Sequence, residues 1–161
     1  MLMRFLKAWL PVAGMCVAIF LFSQDRHSGQ HSHEVLGWIL SLLGVNTPHL
    51  HRVLDEPFRK LAHVVVYSSL GSLAYRGFAL GRKLWDFPAA VRSLIFTAAY
   101  ACTDEYHQTL IPGRGPSIHD VLLDTAAAAL AMVVIWSWKR PRRGKPSQTP
   151  LSESGIPYIK R

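Results

Sequence analysis

Apolar residues run through this chain in four long stretches separated by polar connections. They cover about residues 5–23, 61–80, 88–103 and 118–138. A helix that crosses a bilayer needs roughly 17–25 mostly apolar residues. The first and fourth stretches meet that length directly. The second and third meet it once polar residues are allowed at their ends. Residues 126–138 have no polar face, whereas a soluble helix of such length usually carries one. Trp136 and Trp138 stand beside Lys139 and Arg140, as aromatic residues of a membrane interface do. The pattern predicts an all-α fold, a transmembrane four-helix bundle with spans at about 5–23, 59–80, 88–106 and 117–138. A fifth apolar run, 35–45, is too short to span. It is expected to form a short interfacial or re-entrant helix between the first and second spans. The N-terminal run has the basic start and apolar middle of a signal peptide, but no small-x-small site follows it. It is therefore expected to stay as the first span.

Composition agrees. Of 161 residues, 50% are apolar and 17% charged, below the roughly 25% charge of soluble domains. A disordered chain, a collagen-like repeat and a disulfide scaffold are excluded. Cys16 and Cys102 lie inside apolar runs, where a thiol acts as a small hydrophobe; no disulfide and no cysteine metal site is expected.

The net charge of +8 raises nucleic acid as a partner, and the placement of the charges removes it. With both termini cytoplasmic, 13 of the 18 Lys and Arg residues fall on the cytoplasmic side, as membrane topology favours. Eight of the ten acids fall at the other side or at outer helix ends. The expected location is the cell (inner) membrane, multi-pass, with residues 1–138 as the membrane domain. Residues 139–161 form a basic tail rich in Pro, Ser and Gly, expected to be disordered and to lie near anionic lipid headgroups.

That topology brings ionisable residues of three helices to one level of the outer leaflet. Lys60, His63 and Tyr67 share one face of the second span at i, i+3 and i+7. Asp104, Glu105, His107 and Gln108 end the third. Ser117, His119, Asp120 and Asp124 begin the fourth. Asp124 lies one to two turns inside an apolar run, where a carboxylate is costly and needs a partner; Lys60 and Arg114 are the expected cations. Residues 109–116 (TLIPGRGP) read as a tight loop, with Arg114 between two glycines and able to grip phosphate or carboxylate in a bidentate manner. Ser117 is a natural N-cap with Asp120 at the third position. In the long outer connection, His27, His31, His33, His49 and His51 are expected to be incidental and solvated, and Asp55-Glu56-Pro57 to form a turn before the second span.

The strings RKLAHVVVY (59–67) and TDEYHQTLIPGRGPSIHDVLLDT (103–125), with FLFSQD (20–25) before them, resemble the VanZ-like family of small bacterial multi-pass membrane proteins. The resemblance covers roughly residues 10–138. It implies an association with low-level resistance to glycopeptides such as teicoplanin, and Lys60, His63, Tyr67, Asp104, Glu105, His107, Gln108, Arg114, Asp120 and Asp124 as the family's polar motif. The sequence departs at Arg59, where an acidic residue commonly precedes the lysine, at Ala127–Ala129, where glycines are usual, and at His119. Three readings of the cluster stay open. It binds an anionic lipid-linked envelope precursor or a glycopeptide antibiotic, with Arg114 and Lys60 on the anion and Tyr67 and Tyr106 on the apolar part. It is a hydrolase or transferase acting on lipid phosphate esters. Or it is a structural set of charges that locks three helices. A transporter would need oligomers of so few spans. No cofactor and no metal is expected.

Overall fold

The computed structural model of the chain describes residues 2–24, 28–45, 47–111 and 117–140. These residues form five α-helices and no strand: α1 (Leu2–Gln24), α2 (Ser28–Leu42), α3 (Pro48–Ala79), α4 (Phe87–Gln108) and α5 (Ile118–Lys139). The α3 helix is the axis. It touches each of the other four, α5 most extensively.

The starts of α3, α4 and α5 each have a local cause. Thr47 accepts the Leu50 N–H at 3.3 Å, and Pro48 occupies the first turn of α3, where its missing N–H costs nothing. Asp86 caps α4 by accepting the Ala89 N–H at 3.2 Å. Ser117 caps α5 by accepting the Asp120 N–H at 3.2 Å, as its position in the sequence predicts. The α3 helix ends in a left-handed turn, Leu80 at φ 41° and Gly81 at φ 83°.

Three expectations about the connection between the first and second spans are corrected. The turn expected at Asp55-Glu56-Pro57 is helical: α3 begins at Pro48 and runs through Pro57. Proline leaves the carbonyl four residues earlier without its helical partner, but the segment is held from outside by α2. His33 Nδ1 lies 3.2 Å from Asp55 Oδ1, and the His33 and His51 rings are 4.3 Å apart. These histidines are therefore on helices and not in a loop; His27 lies outside the described residues. The short apolar helix also differs from its expected range, for α2 starts at Ser28 and ends at Leu42.

Packing relies on small residues. A Cβ placed on Gly71 would lie 3.0 Å from the Ala128 Cβ, so α3 and α5 cross with backbones nearly in contact. The Ser93 hydroxyl donates to the buried Gly71 carbonyl at 2.6 Å and brings α4 to the same point. Ala127, next to Ala128, is likewise buried. Two apolar clusters flank this crossing, one around Val12, Tyr67, Leu70 and Ala101, the other around Tyr75, Ala89, Ala90 and Met132.

Most large apolar side chains face outward, among them Leu10, Phe22, Ile95, Leu130 and Trp138. A soluble protein rarely exposes such a surface. Among the described residues two helices are long and apolar enough to cross a membrane, Leu2–Ser23 and Ile118–Lys139. The second and third expected spans fall on α3 and α4, which do not meet this measure because they carry more polar residues. In α3, however, much of that polarity is turned inward: Ser68 donates to the Val64 carbonyl, Ser69 to Val65 at 2.7 Å and Ser72 to Ser68 at 2.8 Å. The basic tail lies, beyond Arg140, outside the described residues.

Candidate functional site

The first half of α3, the end of α4 and the start of α5 meet at one end of the bundle. The sequence spacing that put His63 and Tyr67 on one face of α3 holds. Tyr67 is 1% exposed, and its hydroxyl donates to Asp104 Oδ2 at 3.1 Å. Gln108 Nε2 donates to the same oxygen at 3.2 Å from one turn further along α4. His63 Nδ1 lies 3.3 Å from Asp124 Oδ1, across from α3 to α5. The His63 and Tyr67 rings are nearly parallel, 6.2 Å apart at 11°.

The partner of Asp124 is therefore His63, not Lys60. Lys60 reaches outward on its own helix and pairs with Glu56 at 2.7 Å. Its ammonium holds the Glu56 carboxyl below the usual carboxylate range. Spacing alone could not separate these outcomes, because Lys60 and His63 lie three residues apart and only the rotation of α3 decides which one faces α5. Arg114, the other expected cation, lies outside the described residues.

Glu105 is buried and accepts the Ser117 N–H at 2.7 Å. It completes the capping of α5 from a neighbouring helix, in the place where a capping box would use Asp120. Asp120 is half-buried and within electrostatic range of His63 and Lys60. His107 points to the other side of α4 from Gln108. Its ring packs on Phe20 at 4.7 Å, and its Nδ1 is buried with no hydrogen-bond partner among the described residues. His107 and Tyr106 line a small cavity of about 240 Å³ that Asp104 also lines, and neither of them lines the larger cavity beside His63. His119 is exposed.

A larger cavity of about 460 Å³ opens against the His63–Tyr67–Asp104–Gln108 edge. Ligand pockets commonly span roughly 300–1,000 Å³. Its walls are apolar along α1 (Met15, Ile19, Phe22) and α3 (Phe58, Val66), while α2 contributes His31 and Ser32 beside Val35, and Arg59 is also on the wall. These wall residues were not legible as site residues, because an apolar side chain facing a cavity reads like one facing lipid. The arrangement presents an apolar chamber ending on hydrogen-bonding groups, with one cation at its side. Among the described residues no group of three or more His, Cys, Asp or Glu side chains is placed to hold a metal ion.

The VanZ/LLP1 family model matches residues 8–139. No curated protein and no solved structure matches the chain.

Proposed function

The chain belongs to the VanZ/LLP1 family, and from that premise we propose that it is a multi-pass protein of the bacterial cell membrane that holds an anionic lipid-linked envelope component at its polar cluster. The observation that carries this reading is the cavity of about 460 Å³, mostly apolar along α1 and α3, with His31 and Ser32 of α2 on its wall, and ending on His63, Tyr67, Asp104 and Gln108. An acyl or prenyl chain suits the walls. Arg59 suits an anionic headgroup, in the role first expected of Lys60. The size favours a lipid over a glycopeptide, which is bulkier than the chamber. A contribution to glycopeptide resistance then comes from occupying the lipid-linked component that the antibiotic targets.

In this reading α1, α3, α4 and α5 span the bilayer, both termini are cytoplasmic, and the cluster faces outward. The distribution of Lys and Arg supports it, as do the serine hydroxyls that α3 folds onto its own backbone. With 32 residues, α3 is ~48 Å long against a hydrocarbon core of ~30 Å, so its first turns stand out in the headgroup region beside α2. One observation favours a purely structural cluster: Asp104, Glu105 and Asp124 each have a partner. Helix locking does not call for a cavity beside those pairs.

The test is retention of lauroyl lysophosphatidylglycerol against lauroyl lysophosphatidylcholine by the full chain in nanodiscs, read by native mass spectrometry. The anionic lipid is expected to be retained preferentially, the preference to vanish in Arg59→Ala, and both lipids to be lost in Ala62→Trp, whose indole would occupy the chamber that Ala62 lines. Equal retention by all three proteins would refute the reading.

A further inference from the structure

We propose that His63 is a proton-transfer residue that hydrolyses a carboxylic ester linkage in an amphiphile seated in the large cavity, with Asp124 as its positioning residue; this rests on that cavity being the binding site. Asp124 has a side chain 2% exposed and spends it on one group. Its two oxygens lie 3.3 and 3.5 Å from His63 Nδ1. A buried carboxylate that accepts the Nδ1–H fixes the tautomer, and it stabilises the imidazolium formed when the other nitrogen takes a proton. The other nitrogen, Nε2, has no partner among the described residues, and the imidazole lines the cavity. The near-parallel Tyr67 ring, itself anchored on Asp104, limits where the imidazole can turn.

Gln108 supplies a second element. One of its amide protons serves Asp104; a primary amide has two. The remaining N–H can meet an oxyanion that develops at the same cavity edge. The chemical class follows from charge. Asp104, Glu105, Asp120 and Asp124 all lie at this end of the bundle and repel a phosphate dianion from the reacting position. An uncharged carboxylic ester meets no such repulsion, and a phosphate further along the same lipid can rest at Arg59.

The reaction needs only water. The water oxygen bonds to the acyl carbon while its proton passes to His63 Nε2. The ester C–O bond then breaks, and the alcohol leaves with the proton returned from Nε2. One carboxylic acid and one alcohol form, and His63 is regenerated.

The test uses the full chain in detergent with p-nitrophenyl laurate as the probe. Wild type is expected to release nitrophenol well above the detergent blank. His63→Ala should fall to the blank, and Asp124→Asn should lose roughly 10²-fold, with the loss on kcat rather than KM. Nitrogen-15 histidine spectra give a readout independent of turnover. His63, assigned through His63→Gln, should carry its proton on Nδ1 in wild type and lose that preference in Asp124→Asn. Turnover at the blank by wild type that still retains lauroyl lysophosphatidylglycerol would overturn the hydrolysis and leave the binding reading standing. Failure to retain that lipid would overturn the binding reading itself. Undiminished turnover in His63→Ala, or a wild-type proton on Nε2, would overturn the role of His63 even if a variant misfolds.

Discussion

Tyr67 on α3 donates its hydroxyl to Asp104 on α4 across 3.1 Å, with the tyrosine 1% and the aspartate 7% exposed. A buried hydrogen bond to a charged acceptor contributes about 1.5–3 kcal/mol. Tyr67→Phe is expected to lower stability by about that amount, since Gln108 alone remains on Asp104. Unfolding in mixed micelles of increasing SDS fraction measures it. A change within a few tenths of a kcal/mol would show that the bond does not join the two helices.

The Glu105–Ser117 contact ties the end of α4 to the start of α5 at 2.7 Å. Glu105→Ala strands the Ser117 N–H and should cost about 1–3 kcal/mol. Glu105→Gln keeps an acceptor and should cost less. Amide exchange at the first turn of α5 reads this directly: Glu105→Ala should speed exchange there and leave the middle of α3 unchanged.

The crossing at Gly71 and Ala128 leaves no room for a side chain, with a Cβ contact of 3.0 Å. Gly71→Val is expected to destabilise by about 1–3 kcal/mol through overpacking. Adding Ala128→Gly should recover part of that loss, and a double-mutant cycle measures the coupling. Strict additivity would mean that the two helices do not meet there.

Topology is checked by single cysteines. With Cys16 and Cys102 changed to alanine, His119→Cys should react with a membrane-impermeant maleimide added to intact cells. Arg140→Cys should react only after permeabilisation. The reverse pattern would place the polar cluster in the cytosol and remove an envelope ligand from consideration.

The linear order of apolar and polar residues determined the all-α class, the helix-capping serine at 117, the family, and the gathering of His63, Tyr67, Asp104 and Asp124 at one bundle end. These depend on periodicity and local hydrogen bonding, which act within a few residues. Helix rotation and crossing were settled only in three dimensions. That is why Asp124 meets His63 while Lys60 turns to Glu56, why Glu105 rather than Asp120 completes the cap of α5, and why His107 leaves the cluster. Pro57 shows the same limit, since a proline that breaks an isolated helix is tolerated where α2 packs against it. The cavity has no sequence signature, because its walls are set by the distance between α1, α2 and α3, and that distance is a property of the packed bundle.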